Sequence, residues 1–283
     1  MIKAKKSYGQ HFLKEEGIAK KIANSINQKE PLSGQNVLEI GPGRGMLTKY
    51  LKDLDINFKA VEADRDMVEY LEVHYPELKD NIILLDFLKI SLKKVFDGEE
   101  MTVVGNFPYN ISSQIVFKII NYKHLVPEMV GMFQKEMADR IIAPPGSKTY
   151  GVISVLTQAY YTGKLLMNVS PQSFSPPPKV NSAVIRLVRK NDLNLGCDEK
   201  LFRNIVKTVF NQRRKMIRNG LKAMVRDAEI LHDKTFDQRP EQLSVSTFVE
   251  ITNKLQNHVR NEFRSQSNGG DEGSHESERP SCT

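Results

Sequence analysis

Cysteine is nearly absent from this 283-residue chain: Cys197 and Cys282 are the only two, far apart in sequence. Neither a disulfide framework nor a zinc-ligand spacing can be built from them, which fits a reducing compartment. Long apolar runs are also missing. None approaches the ~20 residues needed to span a bilayer as a helix. The first residues, Met1 to Lys6, are basic but lack the apolar core of a secretion signal, so the expectation is a cytoplasmic protein. No internal repeat is visible. Acidic residues are outnumbered, giving a net charge of +7. The last twenty residues hold two arginines against four carboxylates, so the remainder carries +9. Such a body suits a polyanionic partner such as nucleic acid, or serves solubility alone.

What is present divides into three parts. Residues 1–188 alternate short apolar runs with helical patterns. Strands are expected at Asn36–Ile40, Phe58–Val61, Ile82–Leu85, Met101–Val104, Glu128–Phe133, Gly163–Met167 and Ala183–Leu187. Helical segments separate most of them, which implies an α/β fold with a mostly parallel, seven-stranded sheet covered on both faces. The last two strands are joined by a Ser- and Pro-rich link without a helix, so the final strand is expected to be antiparallel. Residues 189–262 lose the strand pattern. Phe202, Ile205, Val206, Val209 and Phe210 fall at helical spacing, as do Val245, Phe248, Val249 and Thr252, so a small all-α domain is expected. Residues 263–283 are polar with almost nothing to bury, and are expected to be a disordered tail.

Four strand ends carry candidate chemistry, the first three for a nucleotide. Gly41-Pro42-Gly43-Arg44-Gly45 follows the first strand and opens a helix, so the backbone can turn sharply beside a ligand. The spacing is not the Gly-x-Gly-x-x-Gly of dinucleotide enzymes, and Pro42 argues against a pyrophosphate cradle. Glu62 ends the second strand, where an acid can accept hydrogen bonds from both ribose hydroxyls. Asp64 competes for that role but suits a helix cap better. Asp86 ends the third strand, where a carboxylate can accept from an adenine amino group, although an acid there is often only a cap. Together the three favour S-adenosylmethionine over NAD. The fourth strand runs into Asn106-Phe107-Pro108-Tyr109. Such a turn can aim an amide oxygen and a backbone carbonyl at one amino group with an aromatic ring alongside, which suits adenine N6. A plain Pro turn with Asn106 capping the next helix is the competing reading.

The ordered set of motifs resembles the ribosomal RNA adenine N6,N6-dimethyltransferases of the kasugamycin-resistance, small-subunit type. The matching blocks are Gly9 to Leu13, Glu39 to Gly43, Asn106 to Ser113, Phe174 with Pro176 to Val180, Ser182 to Val184, Gln212 to Lys215, Arg218-Asn219 and Arg239 to Ser244. Position 107 is Phe where Leu is common, and position 11 is His where Asn is frequent. The resemblance implies a Rossmann-like class I S-adenosylmethionine-dependent methyltransferase. It implies that His11 and Leu13 border the cofactor, Gly41 passes its methionine end, Glu62 holds the ribose and Asp86 the adenine. It further implies that Asn106 touches both cofactor and target amine, Pro108 offers its carbonyl, and Tyr109 stacks on a flipped adenine. The chemistry would be direct displacement with no metal and no general base.

Two basic clusters are candidates for RNA phosphate: Lys3, Lys5 and Lys6 near the start, and Arg213, Arg214, Lys215, Arg218 and Lys222 in the helical region. On one helix Arg214, Arg218 and Lys222 would share a face, with Ile217 and Leu221 facing the core. The expected partner is small-subunit ribosomal RNA, in the subunit or its precursor, and the expected state is a monomer. Alternatives are the related large-subunit enzyme, which lacks the Gln-Arg-Arg-Lys block, an assembly factor with secondary catalysis, and a DNA adenine methyltransferase.

Overall fold

A computed structural model describes residue 5, residues 9–26 and residues 34–263. The tail from 264 onward, with Lys3 and Lys6, lies outside the described residues.

All seven expected strands form. They are β2 (Gln35–Ile40), β3 (Ile56–Glu62), β4 (Ile82–Leu84), β5 (Thr102–Asn106), β6 (Glu128–Gln134), β7 (Tyr161–Val169) and β9 (Ser182–Arg189). Their order across the sheet is β4-β3-β2-β5-β6-β9-β7. β9, the last in sequence, is antiparallel to both neighbours, and the pairs among β2 to β6 are parallel. Residues alternate between faces along each central strand. Val37, Val104 and Val130 enter one apolar cluster, whereas Leu38, Val103 and Met129 enter the other. That double burial explains why these strands read as nearly continuous apolar runs.

Helices α1 (Glu16–Ala23) and α2 (Thr48–Leu51) cover one face. On the other lie α4 (Ser112–Asn121), α5 (Lys135–Ile141) and α6 (Val152–Tyr160). Helix α3 (Arg65–His74) follows β3 and is capped by Asp64, whose carboxylate accepts from the Asp66 N–H. The expected capping role of Asp64 is therefore met.

Beyond Arg189 no further strand forms among the described residues. The main helices are α7 (Glu199–Asn211), α8 (Ile217–Leu221) and α9 (Val245–Leu255). α7 buries Leu201, Phe202, Ile205, Val206 and Val209 and is capped by Asp198, which accepts from the Leu201 N–H at 2.9 Å. These side chains belong to the same apolar cluster as one face of the sheet.

One expectation is corrected here. Arg214, Arg218 and Lys222 do not share a helix face, because α7 ends at Asn211 and residues 212–216 turn before α8 begins. The turn is needed because α8 folds back against α7. A Cβ at Gly220 would sit 3.4 Å from the Val209 Cα, so the backbones meet almost directly. The Ile217 N–H also donates to the Gln238 carbonyl at 2.9 Å. Ile217 and Leu221 are buried as expected.

The sequence pattern also gave no sign of a small second sheet. β1 (Phe12–Leu13) pairs antiparallel with β8 (Phe174–Ser175), pinning the N-terminal segment beside the main sheet. Two-residue strands are too short to produce a period-two signal.

Candidate active site

The strand order reverses direction between the adjacent strands β2 and β5. In open α/β sheets, the crevice at the carboxyl ends of such strands is where ligands bind. Here the crevice is a cavity of about 640 Å³, lined among others by His11, Leu13, Gly41, Glu62, Asp86, Asn106, Pro108 and Tyr109. All eight residues anticipated for cofactor and acceptor therefore border one space, although up to 98 positions separate them in sequence.

The glycine loop is shaped by left-handed backbone. Gly41 has φ +65° and Gly43 has φ +56°, values that side chains with a Cβ adopt only under strain. A Cβ on Gly43 would also lie 3.2 Å from the Phe12 ring. The loop thus serves two contacts, the ligand space and the N-terminal segment. Arg44 lies 4.4 Å from the centre of the same Phe12 ring.

Glu62 is buried, and each carboxylate oxygen accepts from the backbone. Oε1 takes the Asp64 N–H at 2.9 Å and Oε2 takes the Gly43 N–H at 3.1 Å. Burial pushes its pKa up, against the lowering effect of those N–H groups. A rigidly oriented acid with remaining lone pairs is suited to a vicinal diol. Asp86 is half-buried, and its Oδ1 accepts from the Leu88 N–H at 2.8 Å. It caps its own turn and also borders the cavity.

At the acceptor end, the Asn106 Nδ2–H donates to the His11 carbonyl at 3.0 Å. The donor end of the amide is thereby used, and Oδ1 is left to accept. The His11 backbone makes this bond, while its ring Nδ1 lies 2.8 Å from the Pro176 carbonyl and its ring stacks on Tyr109 with centroids 5.4 Å apart. The Pro108 carbonyl already accepts, from the Ser112 hydroxyl at 3.0 Å and the Ile111 N–H at 3.3 Å. A substrate amine at that oxygen would share it with Ser112, whose hydroxyl can rotate away. The Tyr109 hydroxyl bonds to Ser182 Oγ at 2.6 Å. Ser182 is fully buried on β9, so it fixes the phenol from a rigid strand. Behind the turn, Phe107 is buried edge-on to Phe133. A Cβ on Gly131 would meet its ring at 2.2 Å and one on Gly105 at 2.8 Å. The larger residue at 107 is accommodated because two strand positions are glycine.

Sequence reasoning assigned no role to several residues here. The Glu39 carboxyl is fully enclosed and accepts from the Thr48 hydroxyl at 2.7 Å. Desolvation pushes its pKa up to about 8, so it is largely neutral at pH 7. Ser182, Ser112, Gln10 and Phe12 also shape the site, through contacts distant in sequence. No group of three or more His, Cys, Asp or Glu among the described residues could hold a metal.

The basic clusters are only partly available. Lys5 Nζ contacts Asp64 at 2.6 Å and Asp66 at 2.9 Å, so it is not presented to phosphate. Arg213 donates to the Lys148 carbonyl at 2.7 Å and lies near Glu241. Arg218 pairs with Asp237 at 2.7 Å. Arg214, Lys215 and Lys222 are exposed. No helix among the described residues is long and apolar enough to cross a membrane.

The chain is 52% identical over 255 residues to "Ribosomal RNA small subunit methyltransferase A" of Flavobacterium johnsoniae, covering 90% of this chain and 97% of that one. It is 50% identical over 257 residues to the protein of the same name from Bacteroides thetaiotaomicron, covering 90% and 95%. Among solved structures it resembles a dimethyladenosine transferase from Plasmodium falciparum, with a TM-score of 0.74, 25% identity and coverage of 88% and 99%. It shares the fold of the 23S rRNA methyltransferase ErmE, with a TM-score of 0.64 and 22% identity, over 86% of this chain and 99% of that one. The family model "Ribosomal RNA adenine dimethylase" matches residues 1–264. The chain belongs to the ribosomal RNA adenine dimethylase family.

Proposed function

We propose that this protein is an S-adenosylmethionine-dependent methyltransferase that dimethylates N6 of two adjacent adenosines near the 3′ end of small-subunit ribosomal RNA, during assembly of that subunit. The observation that carries this reading is the meeting of Asn106, Tyr109, Glu62 and the Gly41–Gly43 turn around one cavity. The donor set fits the cofactor. An acid with backbone-fixed oxygens stands at the end of β3, a glycine turn at the end of β2, and a second acid after β4. When bound, S-adenosylmethionine supplies an electrophilic methyl on a positively charged sulfur.

The chain's own residues then do the following. Glu62 holds the ribose hydroxyls, Asp86 accepts from the adenine amino group, and His11, Leu13 and Gly41 border the rest of the cofactor. In the first transfer Asn106 Oδ1 accepts one N–H of the target amine and the Pro108 carbonyl accepts the other as Ser112 gives way. The methylated nitrogen then loses a proton to solvent, and in the second transfer the one remaining N–H is held by one of the same acceptors. Two acceptors favour a tetrahedral nitrogen whose lone pair is available for attack. Tyr109, steadied by Ser182, stacks on the extruded base. Positioning and stabilisation of developing positive charge carry most of the rate enhancement.

Residues 1–188 form the catalytic domain and 189–262 the helical RNA-binding domain, with 263–283 an appended polar tail. Arg214, Lys215 and Lys222 face RNA phosphate. Arg213 and Arg218 serve the architecture first. The protein works as a cytoplasmic monomer on the small subunit or its precursor. The test is methyl transfer to small subunits lacking dimethyladenosine, with large-subunit RNA and duplex DNA as competitors. N6,N6-dimethyladenosine in small-subunit RNA supports the proposal, and preferential labelling of either competitor overturns it.

A further inference from the structure

Lys5 and residues 9–14 are stapled beside the cavity at four separate points. At one end, the Asp64 carboxylate gathers three groups. Oδ1 accepts from Lys5 Nζ at 2.6 Å and from the Asp66 N–H, and Oδ2 accepts from Gln10 Nε2 at 2.9 Å. Lys5 and Gln10 are also tied to each other, the Lys5 N–H donating to Gln10 Oε1 at 2.8 Å. In the middle, the Phe12 ring lies over Gly43 and beside Arg44. The His11 carbonyl is held by Asn106. At the far end, β1 pairs with β8, and the Lys14 N–H donates to the Ser173 carbonyl at 2.8 Å.

These staples differ in kind. Those around β1 and Phe12 use backbone bonds and apolar packing. The Asp64 staple uses an ion pair and two side-chain hydrogen bonds, with Lys5 37% exposed at its side chain and Asp64 only 1%. A staple of polar side chains, one of them partly exposed, beside staples of backbone bonds and apolar packing is where a segment opens first. Its position matters for the ligand. The Asp64 N–H is bonded to Glu62 Oε1, so the catch and the candidate ribose-binding acid are directly linked. Residues Gly9 to Lys14 line the cavity together with the glycine loop. A bulky cofactor beneath this segment leaves most readily when the segment lifts.

We propose that Asp64, Lys5 and Gln10 form a latch that holds the N-terminal segment over the bound cofactor and sets the rate of cofactor exchange between successive methyl transfers. The three are positioning residues, acting through the segment and not on the reacting atoms. The proposal rests on the cofactor reading above. Dimethylation consumes one cofactor per methyl, so exchange must occur for every base.

The test is the release rate of tritiated S-adenosylmethionine, chased with unlabelled cofactor, from wild type, Lys5→Ala, Lys5→Arg and Lys5→Ala/Gln10→Ala. The latch predicts release faster by about two- to fivefold in Lys5→Ala. It predicts about tenfold or more in the double variant, which also loses the hydrogen bond to a buried charge. Lys5→Arg should restore much of the wild-type rate. Raising salt should speed release from wild type more than from Lys5→Ala. In Lys5→Ala, melting temperature and single-turnover transfer from preloaded cofactor should stay near wild type, which a merely structural role for this side chain would not predict. Release rates equal to wild type in the folded double variant overturn the latch and leave the cofactor reading standing. Absence of cofactor binding in wild type itself overturns both.

Discussion

Glu62→Gln tests ribose recognition in the cavity. In the wild type both carboxylate oxygens accept backbone N–H groups, from Asp64 at 2.9 Å and Gly43 at 3.1 Å. Glutamine is nearly isosteric but offers one oxygen and one NH₂. Whichever way the amide lies, one backbone N–H faces another donor. A buried donor left unsatisfied costs about 1–3 kcal/mol. In the free protein this is partly offset, because the amide is spared the desolvation that raises the Glu62 pKa. No such offset helps the ligand. Two ribose hydroxyls need two acceptors, and one of them is now an NH₂. Hydrogen bonds to charged groups contribute about 1.5–3 kcal/mol, so cofactor affinity should fall roughly tenfold to a hundredfold. Calorimetric titration with S-adenosylmethionine measures this, and thermal melts confirm that the variant remains folded. Affinity within about twofold of wild type would refute the assignment of the ribose to Glu62.

Glu39 is raised from 4.5 to about 8, so the native state binds a proton that the unfolded state has lost across that window. Its contribution therefore makes stability decline as pH rises from about 4.5 to about 8. Glu39→Gln should flatten that slope in melts run across the range, and an unchanged slope would contradict the assignment. Ser182→Ala and Tyr109→Phe each break the 2.6 Å bond that steadies the ring, so their effects on kcat should be non-additive in a double-mutant cycle, with cofactor affinity preserved. Arg214→Ala/Lys215→Ala should weaken subunit binding and shallow its salt dependence without lowering the melting temperature. Arg213→Ala, which loses the Lys148 carbonyl, should lower the melting temperature instead.

The parts legible in the sequence were those encoded locally. Each of the seven strands is an apolar run bounded by polar or turn residues, and each is found. The strand-end residues Glu62, Asp86 and Asn106 were readable because a strand end fixes where its next residue points. Asp64 was readable as a cap but not as a latch, since Lys5 and Gln10 reach it from more than fifty positions away. Ser182 could not be paired with Tyr109 for the same reason, as the two meet across 73 positions. The basic stretch misled because stepping by four implies a helix only if nothing interrupts it. The contact of Gly220 on Val209 forces the chain to turn, and no local pattern announces that. Lys5 looked like a phosphate ligand because sequence shows charge without showing its partner.

The most direct test of the account is transfer of labelled methyl from S-adenosylmethionine to small subunits lacking dimethyladenosine, by wild type and by Asn106→Ala. The account predicts N6,N6-dimethyladenosine from the wild type. With Asn106→Ala it predicts a rate lower by on the order of a hundredfold, while binding to the subunit persists. Equal transfer by a folded Asn106→Ala protein would contradict the claim that this amide oxygen orients the target amine.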